Sequence, residues 1–290
     1  MNNGDAFRRF FLSSAFKTLT LTSLLFLSIT TSATDIPLEQ KPFLLLNEMR
    51  FSGQPDIAKL GFQDIRVIYT GELWRSKKAE NNPDLSFIEA YIDNRLKDHN
   101  ILCLDIEHWP MDIRRADPAH IEQSIGKFNS ILSSFRTKRP DAKLGIYGML
   151  PIRDYHAPVK NEGLYLWKNA NQKLAPLAKN VDYIYPSIYT FYKSPNKWKK
   201  YAIANINEAK KYGKPVIPFI WPQYHGSNKL RKHKFIGYDY WRLQLETIYE
   251  HADGIVLWSP AGELRSNWDD DAEWWKATID FIQEHDLDSK

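Results

Sequence analysis

The sequence has a single cysteine, Cys103, in 290 residues. No internal disulfide is possible, so the fold must be held by packing. Glycine is also sparse, with 13 in the chain, and no Gly-rich phosphate loop follows the first strand candidate. That argues against a dinucleotide-binding sheet. The eight histidines are scattered, without His-x-His or His-Glu-x-x-His spacing, so neither a metal centre nor a cofactor is expected. The Gly-x-Ser-x-Gly elbow of an esterase is missing. Neither charge dominates: the net value is +4, which disfavours nucleic acid as a partner. What is present, 43% hydrophobic and 26% charged residues, is an ordinary globular composition, and it excludes collagen-like, low-complexity and largely disordered chains.

The longest apolar run, Leu19 to Ile29, follows Arg8, Arg9 and Lys17 and ends in small residues at Thr31-Ser32-Ala33. Thr20, Thr22, Ser23 and Ser28 interrupt it, and it is shorter than the roughly 20 residues a membrane span needs. The pattern predicts a signal peptide over residues 1–33, cleaved near Ala33. No cysteine follows the run, which argues against a lipoprotein. The expected product is secreted or periplasmic, with no stable membrane anchor after cleavage. Without Asp5, Arg8, Arg9 and Lys17 it has 257 residues and a net charge of +2.

Along residues 34–290, short apolar runs rich in β-formers alternate with helical periodicity. The strand candidates are Pro42 to Asn47, Ile65 to Tyr69, Ile101 to Ile106, Leu144 to Met149, Val181 to Ile188, Pro215 to Ile220 and Gly254 to Trp258. Asp117-Pro118 reads as a helix cap with proline in the first turn, followed by Ile121, Ile125, Phe128, Ile131, Leu132 and Phe135. Asp239 likewise precedes Trp241, Leu245, Ile248 and Tyr249, and Trp198, Ala202, Ile206 and Ala209 form a third stripe. Trp268-Asp269-Asp270-Asp271 reads as the cap of a last helix. Strands alternating with helices imply a parallel sheet covered on both faces. The predicted fold is α/β: one TIM-like (β/α) barrel domain, with seven strand candidates.

Active sites of such barrels lie at the carboxyl ends of the strands. The third candidate ends Asp105-Ile-Glu107-His-Trp109-Pro110, and alternation along a strand points Asp105 and Glu107 to the same side. Paired carboxylates at the end of an apolar strand raise the pKa of one of them, and a carboxylic acid protonated near neutrality is what glycoside cleavage requires. The other strand ends carry rings: Tyr147 and then Tyr155, Tyr185 and Tyr189, Trp221 and Tyr224, and Trp258. Together they outline an aromatic cleft suited to sugars. Two basic clusters, Lys193, Lys197, Lys199 and Lys200, and Lys229, Arg231, Lys232 and Lys234, are expected near that face. Either attraction of an acidic polysaccharide or a solvated loop accounts for them.

Five stretches resemble the hyaluronidases, glycoside hydrolase family 56. They are Asp105-Ile-Glu107-His-Trp109-Pro110, Tyr147-Gly to Pro151 and Tyr155, Tyr185-Pro-Ser-Ile-Tyr189, Pro215-Val-Ile-Pro-Phe219 and Gly254-Ile-Val-Leu-Trp258. The resemblance implies a seven-stranded barrel and a retaining endo-β-N-acetylhexosaminidase. Glu107 would be the acid/base, and the substrate's acetamido oxygen the nucleophile. Asp105 and Tyr189 would hold the acetamido group, and Tyr155 and Trp258 would close around the sugar. Trp109, Tyr147, Trp221 and Tyr185 complete the expected binding surface. The implied partner is a polysaccharide containing N-acetylhexosamine. The chain departs from the family in having no disulfide framework and no arginine between Trp109 and Pro110. The acid strand is also similar to family 18 chitinases, whose additional aspartates are missing before Asp105. A carbohydrate-binding barrel without catalysis is the reading from another class.

Overall fold

A parallel strand buried on both faces needs apolar residues at successive positions, and Ile101-Leu-Cys-Leu supplies four, all buried, before the half-buried Asp105. The computed structural model describes residues 42–75 and 82–288, within the unit Lys41–Lys290. The expected signal peptide lies outside the described residues. The strands are β1 (Leu44–Glu48), β2 (Phe62–Asp64), β3 (Arg66–Tyr69), β4 (Ile101–Asp105), β5 (Lys143–Ile146), β6 (Phe219–Ile220) and β7 (Gly254–Trp258). One parallel ladder runs β2-β1-β7-β6 and the other β3-β4-β5.

Two joins close these ladders into a barrel. β2 and β3 are consecutive parts of one stave, split at Ile65, whose N–H reaches the Asn47 carbonyl of β1. On the other side, isolated parallel bridges link Tyr147 to Tyr185, Ile184 to Val216 and Ser187 to Phe219. The segment around 184–188 is therefore the fifth of seven staves among the described residues, and the seven-stave TIM-like fold is as expected.

The fifth stave is not a continuous strand because Pro186, Pro215 and Pro218 have no N–H to donate to a ladder. Their carbonyls still accept, from Phe219, Ile184 and Val256 respectively.

Helices cover the barrel: α1 (Leu85–Arg95), α2 (Pro118–Lys138), α3 (Ala157–Lys160), α4 (Leu164–Gln172), α5 (Ala175–Ala178), α6 (Pro195–Lys210), α7 (Tyr238–His251) and α8 (Glu273–Glu284). The Asp117 carboxylate accepts from the Ala119 N–H and caps α2, an interaction worth about 1 kcal/mol. The predicted stripes face inward: Ile121, Phe128, Ile131, Leu132 and Phe135 of α2, Trp198, Ala202, Ile206 and Ala209 of α6, and Trp241, Leu245 and Ile248 of α7 are all buried.

Two cap assignments are corrected. α7 begins after Gly237, with Asp239 inside its first turn, where a carboxylate still favours the positive end of the helix dipole. α8 is capped at Ala272 without a side-chain bond. The preceding acids are engaged elsewhere, Asp269 with the Asp271 N–H, Asp270 with the Trp268 indole and Asp271 with Lys276. No helix among the described residues is long and apolar enough to cross a membrane.

Candidate active site

The register brings the strand ends together. β3 pairs with β4 so that Tyr69 sits opposite Asp105, and β1 pairs with β7 so that Glu48 sits opposite Trp258. The Trp258 indole N–H then donates across the barrel mouth to the Tyr69 hydroxyl at 3.1 Å. Below this rim the interior is filled. Gly145 lies opposite Cys103, and a Cβ at Gly145 would come within 2.3 Å of the Tyr185 ring. The missing side chain is what admits that ring, which plugs the barrel beneath the site.

Above the plug is an inner cavity of about 230 Å³, lined by Asp105, Glu107, Tyr147, Arg153, Tyr189 and Trp258, with Val67, Phe219 and His225. An outer groove of about 420 Å³ shares Glu107, Tyr147 and Arg153 and extends past Trp109 and Tyr155. Glu107 thus stands where the two compartments meet. Its carboxylate pairs with Arg153 at 3.4 Å, and its side chain is 45% exposed, so it is open to both.

Burial, and then the charge of Glu107, push the Asp105 carboxyl up to about 7, with Arg153 opposing them. The pair therefore retains a proton up to near neutrality. Burial raises the Tyr69 hydroxyl to about 12 and keeps Tyr147 and Tyr189 well above the ordinary tyrosine range. These phenols are donors at any working pH. Tyr147 shares a hydrogen bond of 2.9 Å with Ser187. Tyr189 stacks on Trp258 with centroids 5.4 Å apart.

Asp105, Glu107, Tyr189, Trp258 and Tyr147 therefore converge in one cavity, with Tyr155 and Trp109 on the adjoining groove. Trp109 is mostly a core residue, its ring against Phe128 of α2 at 5.0 Å. Two expected binding residues are elsewhere. Tyr185 is fully buried as the plug. Trp221 is buried behind the site, edge-on to Trp258 at 5.3 Å and donating to Gln223. It buttresses the cavity wall without lining it. None of the eight residues of the basic clusters lines either compartment; Lys197, Lys199 and Lys200 lie on α6.

The chain is similar in fold to bee venom hyaluronidase. The TM-score is 0.59 at 15% identity, over 86% of this chain and 100% of that one. The bee venom enzyme in complex with a hyaluronic acid tetramer gives 0.59 and 15%, over 84% and 96%. A fungal β-1,4-galactanase is more distant, at TM-score 0.44 and 11% identity, over 83% of this chain and 87% of that one. No family model matches the chain, and no curated protein sequence matches it. At this identity the likeness to bee venom hyaluronidase establishes the TIM-like fold.

Sequence reasoning missed three residues of the site: Arg153, His225 and Tyr69. Arg153 lies two residues before Tyr155, and His225 follows Tyr224, in stretches read only for their rings. Tyr69 closes the second strand candidate. All three carry the same signal, a polar side chain within a few residues of a strand end.

Proposed function

We propose that the protein is a glycoside hydrolase acting on a glycan that contains N-acetylhexosamine, with Glu107 as acid/base. The observation that carries this reading is the joint presence of Asp105, Glu107, Tyr189 and Trp258 on one cavity at the carboxyl end of the barrel. In this reading the sugar occupies the inner cavity, the leaving group occupies the outer groove, and the scissile oxygen lies beside Glu107 at their junction. Trp258 supplies a flat face to the ring.

No second protein carboxylate is required as nucleophile. The substrate's acetamido oxygen attacks the anomeric carbon as Glu107 delivers a proton to the departing oxygen. Glu107 then takes a proton from water as the oxazolinium opens, with net retention. In the cleaving complex the one proton of the pair is on Glu107, so Asp105 is ionised, orients the acetamido group and balances its developing positive charge, and the Tyr189 hydroxyl donates to the same group. Cleavage within chains and export through the residue 1–33 signal belong to the same proposal.

The test is release of reducing ends from hyaluronan, chondroitin, chitin oligosaccharides and peptidoglycan by the wild type and Glu107→Gln. Activity on one of these, reduced at least about 100-fold in the variant, is expected. Activity undiminished by the substitution overturns the mechanism. Binding of a glycan without turnover by either protein leaves a carbohydrate-binding barrel.

A further inference from the structure

We infer that His225 is a substrate-contacting residue of the inner cavity, presenting a neutral Nε2–H donor to an oxygen of the bound sugar. The inference rests on reading that cavity as a sugar site. His225 lies beyond β6, in a loop pinned at several points. Its backbone N–H donates to the Thr190 carbonyl at 3.0 Å, and the Asn228 amide donates to the Phe191 carbonyl at 3.2 Å. The backbone from 223 to 235 folds back on itself through the Gln223–Phe235 bridge and two Tyr224 hydrogen bonds, to Lys234 and from His233.

The ring itself is held on two sides. Phe191 meets it edge-on at 4.5 Å, and Tyr189 stacks alongside at 6.1 Å. A side chain located this firmly on a cavity wall is suited to recognition.

The tautomer follows from the hydrogen bonds. The Ser227 backbone N–H, which can only donate, points at Nδ1 at 3.1 Å, and the Ser227 hydroxyl is 2.9 Å from the same atom. Nδ1 is therefore an acceptor, and in the neutral ring the proton must be on Nε2. Nε2 has no hydrogen-bond partner among the described residues, while the ring contributes to the cavity lining.

The surroundings keep the ring neutral. Burial, then the positive charge of Arg153 from the segment after β5, then His233 from the returning arm of the loop, lower its pKa to about 4. The same cavity is lined by Asp105 and Glu107, the latter paired with Arg153, with Tyr147 and Tyr189 as neutral phenols. With Nδ1 engaged by Ser227, the imidazole offers the cavity only a donor, and together with the guanidinium of Arg153 in the same lining it calls for an oxygen able to accept. The carboxylates of the same cavity accept from hydroxyls, so donors and acceptors together orient a sugar within it.

A purely structural histidine would serve only to accept from Ser227, and the two roles separate by substitution. Asparagine places an acceptor near Nδ1 and nothing near Nε2. Glutamine extends an amide N–H toward the Nε2 position. The decisive measurement uses 15N histidine spectra of the full chain between pH 4 and 8, then titration with tetra-N-acetylchitotetraose and with a hyaluronan tetrasaccharide. The expected results are the Nε2–H tautomer at pH 7, a ring still neutral at pH 5, and movement of the His225 Nε2 signal with whichever saccharide binds. His225→Asn should weaken that binding about five- to tenfold, the loss of one hydrogen bond, and His225→Gln by less than about threefold.

An Nδ1–H tautomer, or the reverse order of the two variants, overturns the inference. So does a saccharide that moves the Trp258 indole signal while leaving Nε2 unmoved, an outcome in which the sugar site stands and His225 has no part in it. If neither saccharide moves any signal of the cavity, the sugar-site reading falls and this inference falls with it.

Discussion

Asp105 should make the folded protein less stable as the pH rises, and Asp105→Asn should remove that dependence. In the unfolded chain the carboxyl titrates at its ordinary value of 3.8; in the cavity it titrates at about 7. Between those two values the unfolded state has released its proton while the native state still holds it. Stability is therefore fully present below pH 4, declines as the pH rises toward 7 and levels off above it. Three pH units at 1.36 kcal/mol each give a loss of about 4 kcal/mol, an upper figure because the carboxyl faces a cavity open to water.

Asparagine is nearly isosteric and does not ionise. The difference in unfolding free energy between Asp105→Asn and the wild type should grow by about 2–4 kcal/mol between pH 4 and pH 7.5, in the variant's favour. Urea unfolding followed by tryptophan fluorescence at several pH values measures it, and the subtraction cancels every group the two proteins share. A difference that stays flat with pH would refute the assignment of the raised pKa to Asp105. A difference that shrinks would mean that the native carboxylate is ionised and held by Arg153. The same variant should be more stable and yet inactive, since a neutral amide cannot balance an oxazolinium.

Other outcomes follow from the same geometry. On a cleaved substrate, kcat/KM should fall as the pH rises through about 7, where the pair loses the proton that Glu107 must deliver, measured from initial rates between pH 5 and 9; a profile flat across 6–8 would separate Asp105 from the chemistry. Tyr185→Phe should be neutral or stabilising by about 1 kcal/mol in urea melts, because the buried Tyr185 hydroxyl has no hydrogen-bond partner among the described residues, and turnover should be unchanged. Gly145→Ala should cost about 3 kcal/mol or more, since the new methyl meets the Tyr185 ring and the Tyr183 carbonyl, backbone that cannot move aside. Asp117→Ala should cost about 1 kcal/mol without affecting the site, as read from thermal melts.

The barrel was legible because its causes are local. Apolar runs of strand length and stripes at helical spacing state which surfaces must be buried, and the stripes of α2, α6 and α7 fall where their periodicity puts them. The paired acids could be read for the same reason, as side chains two apart on a strand share a side whatever surrounds them. The helices α1, α3, α4 and α5 were not identified, being short or carrying a mixed face. The fate of each aromatic ring was not legible either. Tyr185 and Tyr189 come from one motif and differ completely: one fills the space left by Gly145, and the other stacks on Trp258 at the rim.

The sequence by itself determined the alternating strand and helix order, the count of seven strands and the placement of Asp105 and Glu107 at the end of one of them, because each depends on neighbours along the chain. Only the tertiary structure decided which rings line the cavity, that Arg153 meets Glu107, that burial raises the Asp105 carboxyl, and that His225 lines the same space. Those facts depend on which strand ends the closed barrel brings within a few ångströms of one another, and on how much water that closure leaves around each charge.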